Sequence, residues 1–426
     1  MQRDWGGRRV ALAGFAEDRA VPAGRSGISA RLVLMLTLAM LINYADRGSL
    51  AVAAPLLGRD LALGPAQMGL LLSAFFWTYA LAQPLAGVVA ERWPVRWVLG
   101  TGLLAWSLST MLCGLAGGFA SLFALRMLTG LGESVIYPAN ARLLSEHAGP
   151  HQRGQANAAI EAAKALGPMV GTLLGGLVLA HYGWRAVFWV LGAVSLLWLP
   201  GWLTTPLPRS RPSGPGQGNG PGWRELLSQP AVWTTAIGGF AYAYSPYLLM
   251  TWLPSFLVNA EHCTLIQMAW IGAAIAICQA LGAVVSGLVS DRAIVAGHDE
   301  GIVRKRFMLA GMGGTALMML GATVAPHGWV ELCLGGAAFC IGLMCTAINT
   351  SVQTMAGPYA AGRWIAVFNT ICNMSGVVAP LATGLVVAAT GSFRLAFLIP
   401  AVLSLFGLIA WGPLTGPIRP VAWRRS

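Results

Sequence analysis

Apolar runs of about 20 residues alternate with short polar stretches from residue 32 almost to the end of the chain. Each run can cross the ~30 Å hydrocarbon core of a bilayer as a helix. Unbroken apolar character over that length differs from the alternating pattern of a membrane strand, and a helix satisfies its backbone polar groups within the segment. The pattern predicts twelve helices, at 32–57, 67–90, 96–117, 119–145, 153–180, 184–205, 231–257, 265–290, 305–326, 329–352, 361–389 and 393–414. The expected fold is all-α and membrane-integral.

The pattern lapses once. Residues 206–222 run Pro-Leu-Pro-Arg-Ser-Arg-Pro-Ser-Gly-Pro-Gly-Gln-Gly-Asn-Gly-Pro-Gly, the composition of an extended or flexible linker. It divides the chain into an N-terminal tail (1–30), a first six-helix bundle (31–205), a linker (206–230), a second six-helix bundle (231–415) and a C-terminal tail (416–426). Two echoes relate the bundles. Gly87-Val-Val-Ala-Glu91-Arg92 returns as Gly287-Leu-Val-Ser-Asp291-Arg292, and Gly183-Trp-Arg185-Ala-Val-Phe188 returns as Ser392-Phe-Arg394-Leu-Ala-Phe397. Matches in phase at two places imply parallel repeats about an axis along the membrane normal, with a binding site between them near the midplane.

Composition narrows the class further. Only 10% of the 426 residues are charged and 56% are hydrophobic, against roughly 25% charged in a soluble domain, which excludes one very apolar soluble enzyme. The net charge of +12 encodes topology and not a nucleic-acid partner. Arginine and lysine collect at the N-terminus and on alternate loops (Arg92, Arg96, Arg142, Arg153, Arg209, Arg211, Arg224, Arg292, Arg304, Lys305, Arg306, Arg363), while the opposite loops hold little beyond Arg59, Arg185 and Arg394. By the positive-inside rule both termini are cytoplasmic, as in a multi-pass protein of the cell (inner) membrane. The first 30 residues lack an apolar core before a cleavage site and read as a cytoplasmic tail. Seven cysteines show no metal-ligand spacing and read as small core residues.

Six ionisable residues fall inside the predicted spans, all in the first half: Asp46, Arg47, Arg126, Glu133, Glu161 and Lys164. A charge in hydrocarbon costs at least ~2.5–3.5 kcal/mol, so such residues face a protein interior or a watery cavity. Counting ~1.5 Å per residue places Asp46 and Arg47 past the midplane, Arg126 near the outer surface, Glu133 deeper on the same helical face, and Lys164 near the middle with Glu161 one turn toward the cytoplasm. Carboxylates balanced between desolvation and arginine neighbours can exchange protons, and arginine can grip an anion in a planar fork. Each pair also has a structural reading as a lock within the bundle. Lys164, one of only two lysines, is a candidate substrate or gating cation.

Tyr44 and Tyr79 carry hydroxyls beside this cluster. The second half offers Tyr242, Tyr244, Tyr247, Gln279, Asn349, Gln353, Asn369 and Asn373, which can join helices or together hydrogen-bond a substrate's hydroxyls. Glu91, Arg92, Asp291 and Arg292 at the cytoplasmic edge read as conformational locks and not ligand contacts. No Walker motif, nucleotide loop, His/Cys cluster or nucleophile elbow stands in a fitting context, so no enzyme, metal or cofactor is expected.

The stretch Asn43-Tyr44-Ala-Asp46-Arg47-Gly-Ser-Leu-Ala-Val-Ala-Ala-Pro55 resembles the opening motif of the anion:cation symporter family within the major facilitator superfamily. Arg126-Met-Leu-Thr-Gly130-Leu-Gly132-Glu133 through Pro138, Gly183-Trp184-Arg185, Trp252-Leu-Pro254 and Val367-Phe368-Asn369 extend the resemblance over about residues 31–414. The loop motif ending at Glu91 is weaker, since aspartate is usual there. The resemblance implies that fold and a proton symporter importing a small organic anion such as a sugar acid, aromatic acid or dicarboxylate, working as a monomer. It implies that Asp46 and Glu133 carry protons and that Arg47 binds the substrate carboxylate. Arg126 would tune Asp46, and Tyr44, Tyr79 and Asn369 would line the pocket. Glu161 and Lys164 depart from the neutral polar residues of sugar-acid carriers, and a second cation favours a dicarboxylate or a differently shaped acid. The alternative is a proton-coupled antiporter exporting drugs or metabolites, because Gly167-Pro168-Met-Val-Gly171 resembles the fifth-helix motif of that class. Ala163, Thr172 and Lys164 depart from it. Anion uniport or exchange, and a non-transporting receptor, keep the same fold.

Overall fold

A computed structural model describes residues 28–148, 150–207, 221–421 and 423. The readings made above of residues 1–27, of linker residues 208–220, of residues 422 and 424–426 in the C-terminal tail, and of the Glu91 side chain fall outside that set.

The first crossing is two helices, α1 (Ala30–Arg47) and α2 (Ser49–Asp60), broken at Gly48. Then come α3 (Pro65–Arg92) and α4 (Val95–Cys113). The fourth crossing is also split, into α5 (Phe119–Glu133) and α6 (Ile136–His147). The continuous α7 (Pro150–Leu203) holds the fifth and sixth crossings, which reverse at Gly183. After the short α8 (Trp223–Ser228), α9 (Pro230–Asn259), α10 (Leu265–Val295) and α11 (Glu300–Val324) cross once each. α12 (Val330–Thr390) crosses twice, reversing at Gly357, and α13 (Phe393–Ala396), α14 (Leu398–Ile409) and a π turn (Ala410–Leu414) complete the last crossing. Gly183 and Gly357 turn the chain within one residue at φ of 79° and 66°, angles that only glycine adopts without steric cost. Among the described residues there are thus twelve crossings in two bundles of six, and the chain is a multi-pass membrane protein.

Two helices that read as continuous in the sequence, 32–57 and 119–145, are interrupted. Pro138 lacks an N–H and its ring displaces the carbonyl four residues earlier, so α5 stops at Ser134 and Glu133 becomes its last residue. At Gly48 the cause is weaker: glycine's low helix preference coincides with the end of α1 at Arg47. Small residues set the packing around both breaks. Gly130 of α5 abuts the Phe75 carbonyl of α3, Gly132 abuts Gly102 and Trp106 of α4, and Gly167 and Gly171 of α7 abut Tyr44 and Ala45 of α1. The Gly167–Gly171 motif that suggested an antiporter therefore makes a close helix contact.

Among the described residues the bundles touch toward one end only. Let the end where the described chain starts and finishes be the base. At the far end a Cβ built on Gly69 of α3 would lie 2.6 Å from the Pro380 carbonyl oxygen, and one on Gly384 would lie 2.5 Å from that of Pro65. Gly176 against Ala269 and Gly272 against Thr172 form a matching seam between α7 and α10. Gly87 sits about five helical turns from Gly69 on the same face. Around Gly87, Gly154, Gly287 and Gly362, near the base ends of these same crossings, a Cβ would meet nothing within 4 Å. The bundles are closed at the far end and splayed at the base.

The second sequence echo makes the same contact twice. Arg185 lies 3.9 Å from Asp60, which also accepts from Trp184 Nε1 at 2.8 Å. Arg394 lies 3.1 Å from Glu261, which His327 approaches at 2.5 Å. Each pair ties the start of a bundle's sixth crossing to the end of its first.

Candidate functional site

The two helix breaks face each other. Arg47, closing α1, and Glu133, closing α5, pair at 3.0 Å (Nε to Oε2) with side chains 4% and 0% exposed. Removing one partner of so enclosed a pair would leave a lone buried charge, at a cost of about 3–5 kcal/mol. The guanidinium also stacks on aromatic rings, with its carbon 4.6 Å from the Tyr44 centroid, 4.5 Å from Tyr79 and 5.3 Å from Phe75. One fork nitrogen, Nη2, and the second Glu133 oxygen are buried without hydrogen-bond partners. Both atoms keep hydrogen-bonding capacity that Arg47 and Glu133 do not supply to each other.

Asp46, although next to Arg47 in sequence, points about 100° away around the helix. It is buried, accepts a hydrogen bond from Thr110 Oγ1 at 2.8 Å, and leaves Oδ1 without a partner. Arg126 donates to the same Thr110 oxygen at 3.2 Å and to Ser49 at 3.1 Å. Asp46 and Arg126 are therefore joined through one hydroxyl, which donates to the carboxylate while accepting from the arginine. Asp46 borders an apolar crevice lined by Leu41, Val170, Leu174, Val187 and Val190. Arg47 and Arg126 together border another, with Phe75, Phe76 and Thr251.

Lys164 and Glu161 are one turn apart on α7, 3.3 Å from Nζ to Oε2, with side chains 28% and 61% exposed. An open i,i+3 pair of this kind contributes about 0.3–0.5 kcal/mol and is easily parted. The Lys164 ammonium lies 5.9 Å from the Tyr137 ring, and the Tyr137 hydroxyl meets that of Tyr44 at 2.6 Å. Gly167, one turn on, fixes this face of α7 against Tyr44. Arg47 and Lys164 thus stand at opposite ends of a tyrosine pair.

The second half faces them with neutral groups. Tyr242 and Cys345 are within electrostatic range of Lys164, and Tyr247 is within range of Arg47. Tyr247 donates to Asn373 at 2.7 Å and packs edge-on against Phe76 at 4.7 Å. Phe75, Phe76 and Tyr79 with Tyr247, Met250 and Val377 form an apolar plug on the far-end side. Asn369 is exposed, one turn nearer the base on the face that Asn373 presents to Tyr247.

The structure thus gathers Tyr44, Asp46, Arg47, Tyr79, Arg126, Glu133, Glu161 and Lys164 around one region, and sets Asn369 one turn from Asn373 on the second half. Arg92, Asp291 and Arg292 stand apart at the base: each is exposed, and none forms an ion pair with another described residue. With the base splayed, the elements they could bridge are separated. There Arg142 instead holds the end of α3, donating to the carbonyls of Ala90 and, at 3.0 Å, of Trp93. Sequence reasoning missed Thr110, Ser49 and Tyr137. Tyr137 had a signal, four residues after Glu133 and on its face, whereas Thr110 is one of many uncharged polar residues in apolar helix.

The family described as Major Facilitator Superfamily matches residues 36–380 and 264–425. A probable galactarate/D-glucarate transporter of Bacillus subtilis (strain 168) is 28% identical over 438 residues, covering 95% of this chain and 96% of that protein. A probable L-galactonate transporter of Escherichia coli (strain K12) is 28% identical over 407 residues, covering 90% and 88%. Among solved structures, a bacterial homolog of the human lysosomal transporter Spinster superposes with a TM-score of 0.77 at 21% identity, covering 91% of this chain and 98% of that one.

Proposed function

The chain belongs to the Major Facilitator Superfamily, a family of transporters and not enzymes, and we propose that it carries a small organic anion across the cell membrane together with protons. The observation that carries this reading is Arg47: an enclosed, aromatic-stacked guanidinium whose fork is half occupied by Glu133. A substrate carboxylate can take the whole fork once Glu133 is neutral, so proton uptake by Glu133 and anion binding by Arg47 favour each other. Asp46 provides a second acid. Charged, it accepts a hydrogen bond from the Thr110 hydroxyl while Arg126 donates to that oxygen; protonated, it no longer draws that hydroxyl and Arg126 is freer. The relatives described as sugar-acid carriers support an organic acid as cargo.

Alternating access would exchange the far-end seams for closure at the base, where Glu91, Arg92, Asp291 and Arg292 would act as locks. The described arginines and lysines of the base loops support a cytoplasmic base, an inner-membrane location and import from the far side. A single chain holds the whole site, so a monomer suffices.

Proteoliposomes test the coupling. Wild type should accumulate galactarate or galactonate against its gradient when the far side is acidified. Asp46→Asn should lose that accumulation while keeping counterflow exchange at equal pH; undiminished uphill uptake by the variant would remove Asp46 from the proton path.

A further inference from the structure

We infer that the substrate carries two anionic groups, one for Arg47 and one for Lys164, and that Glu161 is a built-in stand-in for the second. This rests on the reading of the cavity as an anion site, and it goes on to say which anions fit and why a carboxylate is kept beside Lys164. Two cations flank the Tyr44–Tyr137 hydroxyl contact of 2.6 Å, with Arg47 against the first ring and Lys164 near the second. Each is held by a carboxylate of the chain itself, Glu133 at 3.0 Å and Glu161 at 3.3 Å. A molecule with carboxylates at both ends replaces both internal contacts like for like.

The two internal carboxylates leave by different routes. Glu133 is fully enclosed at 0% exposure, so it releases Arg47 by taking a proton. Glu161 is 61% exposed, so it can swing aside while still charged. Lys164 stays in place, because Gly167 seats its helix on Tyr44. No other described carboxylate lies within ion-pair distance of Lys164, and the second-half groups in its range, Tyr242 and Cys345, are neutral in their ordinary forms. A monoacid satisfies Arg47 and leaves Glu161 where it is. A diacid displaces Glu161, whose return then competes the product off Lys164 on the open side.

The test is calorimetric binding to the purified full chain with matched acids that differ at one end only, galactarate against galactonate and glucarate against gluconate, at one pH. Wild type should bind the diacid of at least one pair about tenfold more tightly, as expected for one added charge contact. Lys164→Gln should bring that diacid down to its monoacid, with an unchanged thermal unfolding midpoint showing that the variant is folded. Lys164→Arg should keep the preference. Glu161→Gln should tighten the diacid several-fold and slow its exchange in counterflow. Equal binding of diacid and monoacid by wild type overturns the inference, as does a diacid preference that survives Lys164→Gln, or weaker diacid binding by Glu161→Gln. Those results leave the anion site standing. Binding that Arg47→Gln does not change, or no binding of any of the acids to wild type, removes the anion site and the inference with it.

Discussion

At mid-membrane depth the first half of the molecule holds Asp46, Arg47, Arg126, Glu133, Glu161 and Lys164, while the second half faces them with Tyr242, Tyr247, Asn369 and Asn373. Yet the halves are built alike, to the point that Arg185–Asp60 and Arg394–Glu261 repeat one contact. Architecture has been kept in duplicate and charge has not. Electrostatics explains the economy: the coupling between a cation and a proton-binding acid grows as they approach, so a short distance fixed within one rigid body serves it best. A neutral partner can then close over the cargo without placing a second set of desolvated charges against the first.

The comparison breaks most sharply at Arg47. Arg47→Lys keeps the charge and loses the planar fork, and it should weaken anion binding by roughly 10–100-fold in the same calorimetric assay. An unchanged Kd would show that the first half does not grip the cargo there. Thr110→Val should act more mildly. It takes one donor from Asp46 and so favours the neutral acid, which means protonation is completed at a higher pH. The profile of proton-driven uptake should therefore shift to higher pH with little loss of maximal rate, and an unmoved profile would uncouple Thr110 from Asp46. Smallest should be Tyr247→Phe, which removes the hydroxyl that donates to Asn373. A rise in KM of a few fold, from about 1 kcal/mol of hydrogen bonding, is expected in transport assays. An effect as large as that of Arg47→Lys would mean the second half also anchors the substrate.

The crossings and the six ionisable residues within them were legible in the sequence because an intramembrane charge is conspicuous against apolar helix. Their partners were not. Neighbours such as Asp46 and Arg47 diverge around a helix, and which carboxylate each arginine meets depends on helix contacts set by Gly130, Gly132 and Gly167. Proline effects act at a distance of four residues, so the stop after Glu133 is written at Pro138 and is easily passed over. Thr110 gave no signal at all. A neutral hydroxyl gains its importance only from the two charges on either side of it.

The far-end seams have one more implication, which concerns ionic strength. The bonds described there between bundles are Gly69 against Pro380 and Gly384, Gly176 against Ala269, Gly272 against Thr172, and a hydrogen bond of 3.3 Å from Arg59 to the uncharged Asn259 amide. The ion pairs near them, Arg185–Asp60 and Arg394–Glu261, each stay inside one bundle. Dissolved salt screens exposed charge pairs and leaves backbone packing largely untouched. The far-end closure is thus set by contact and not by attraction between charges, and salt should move it little.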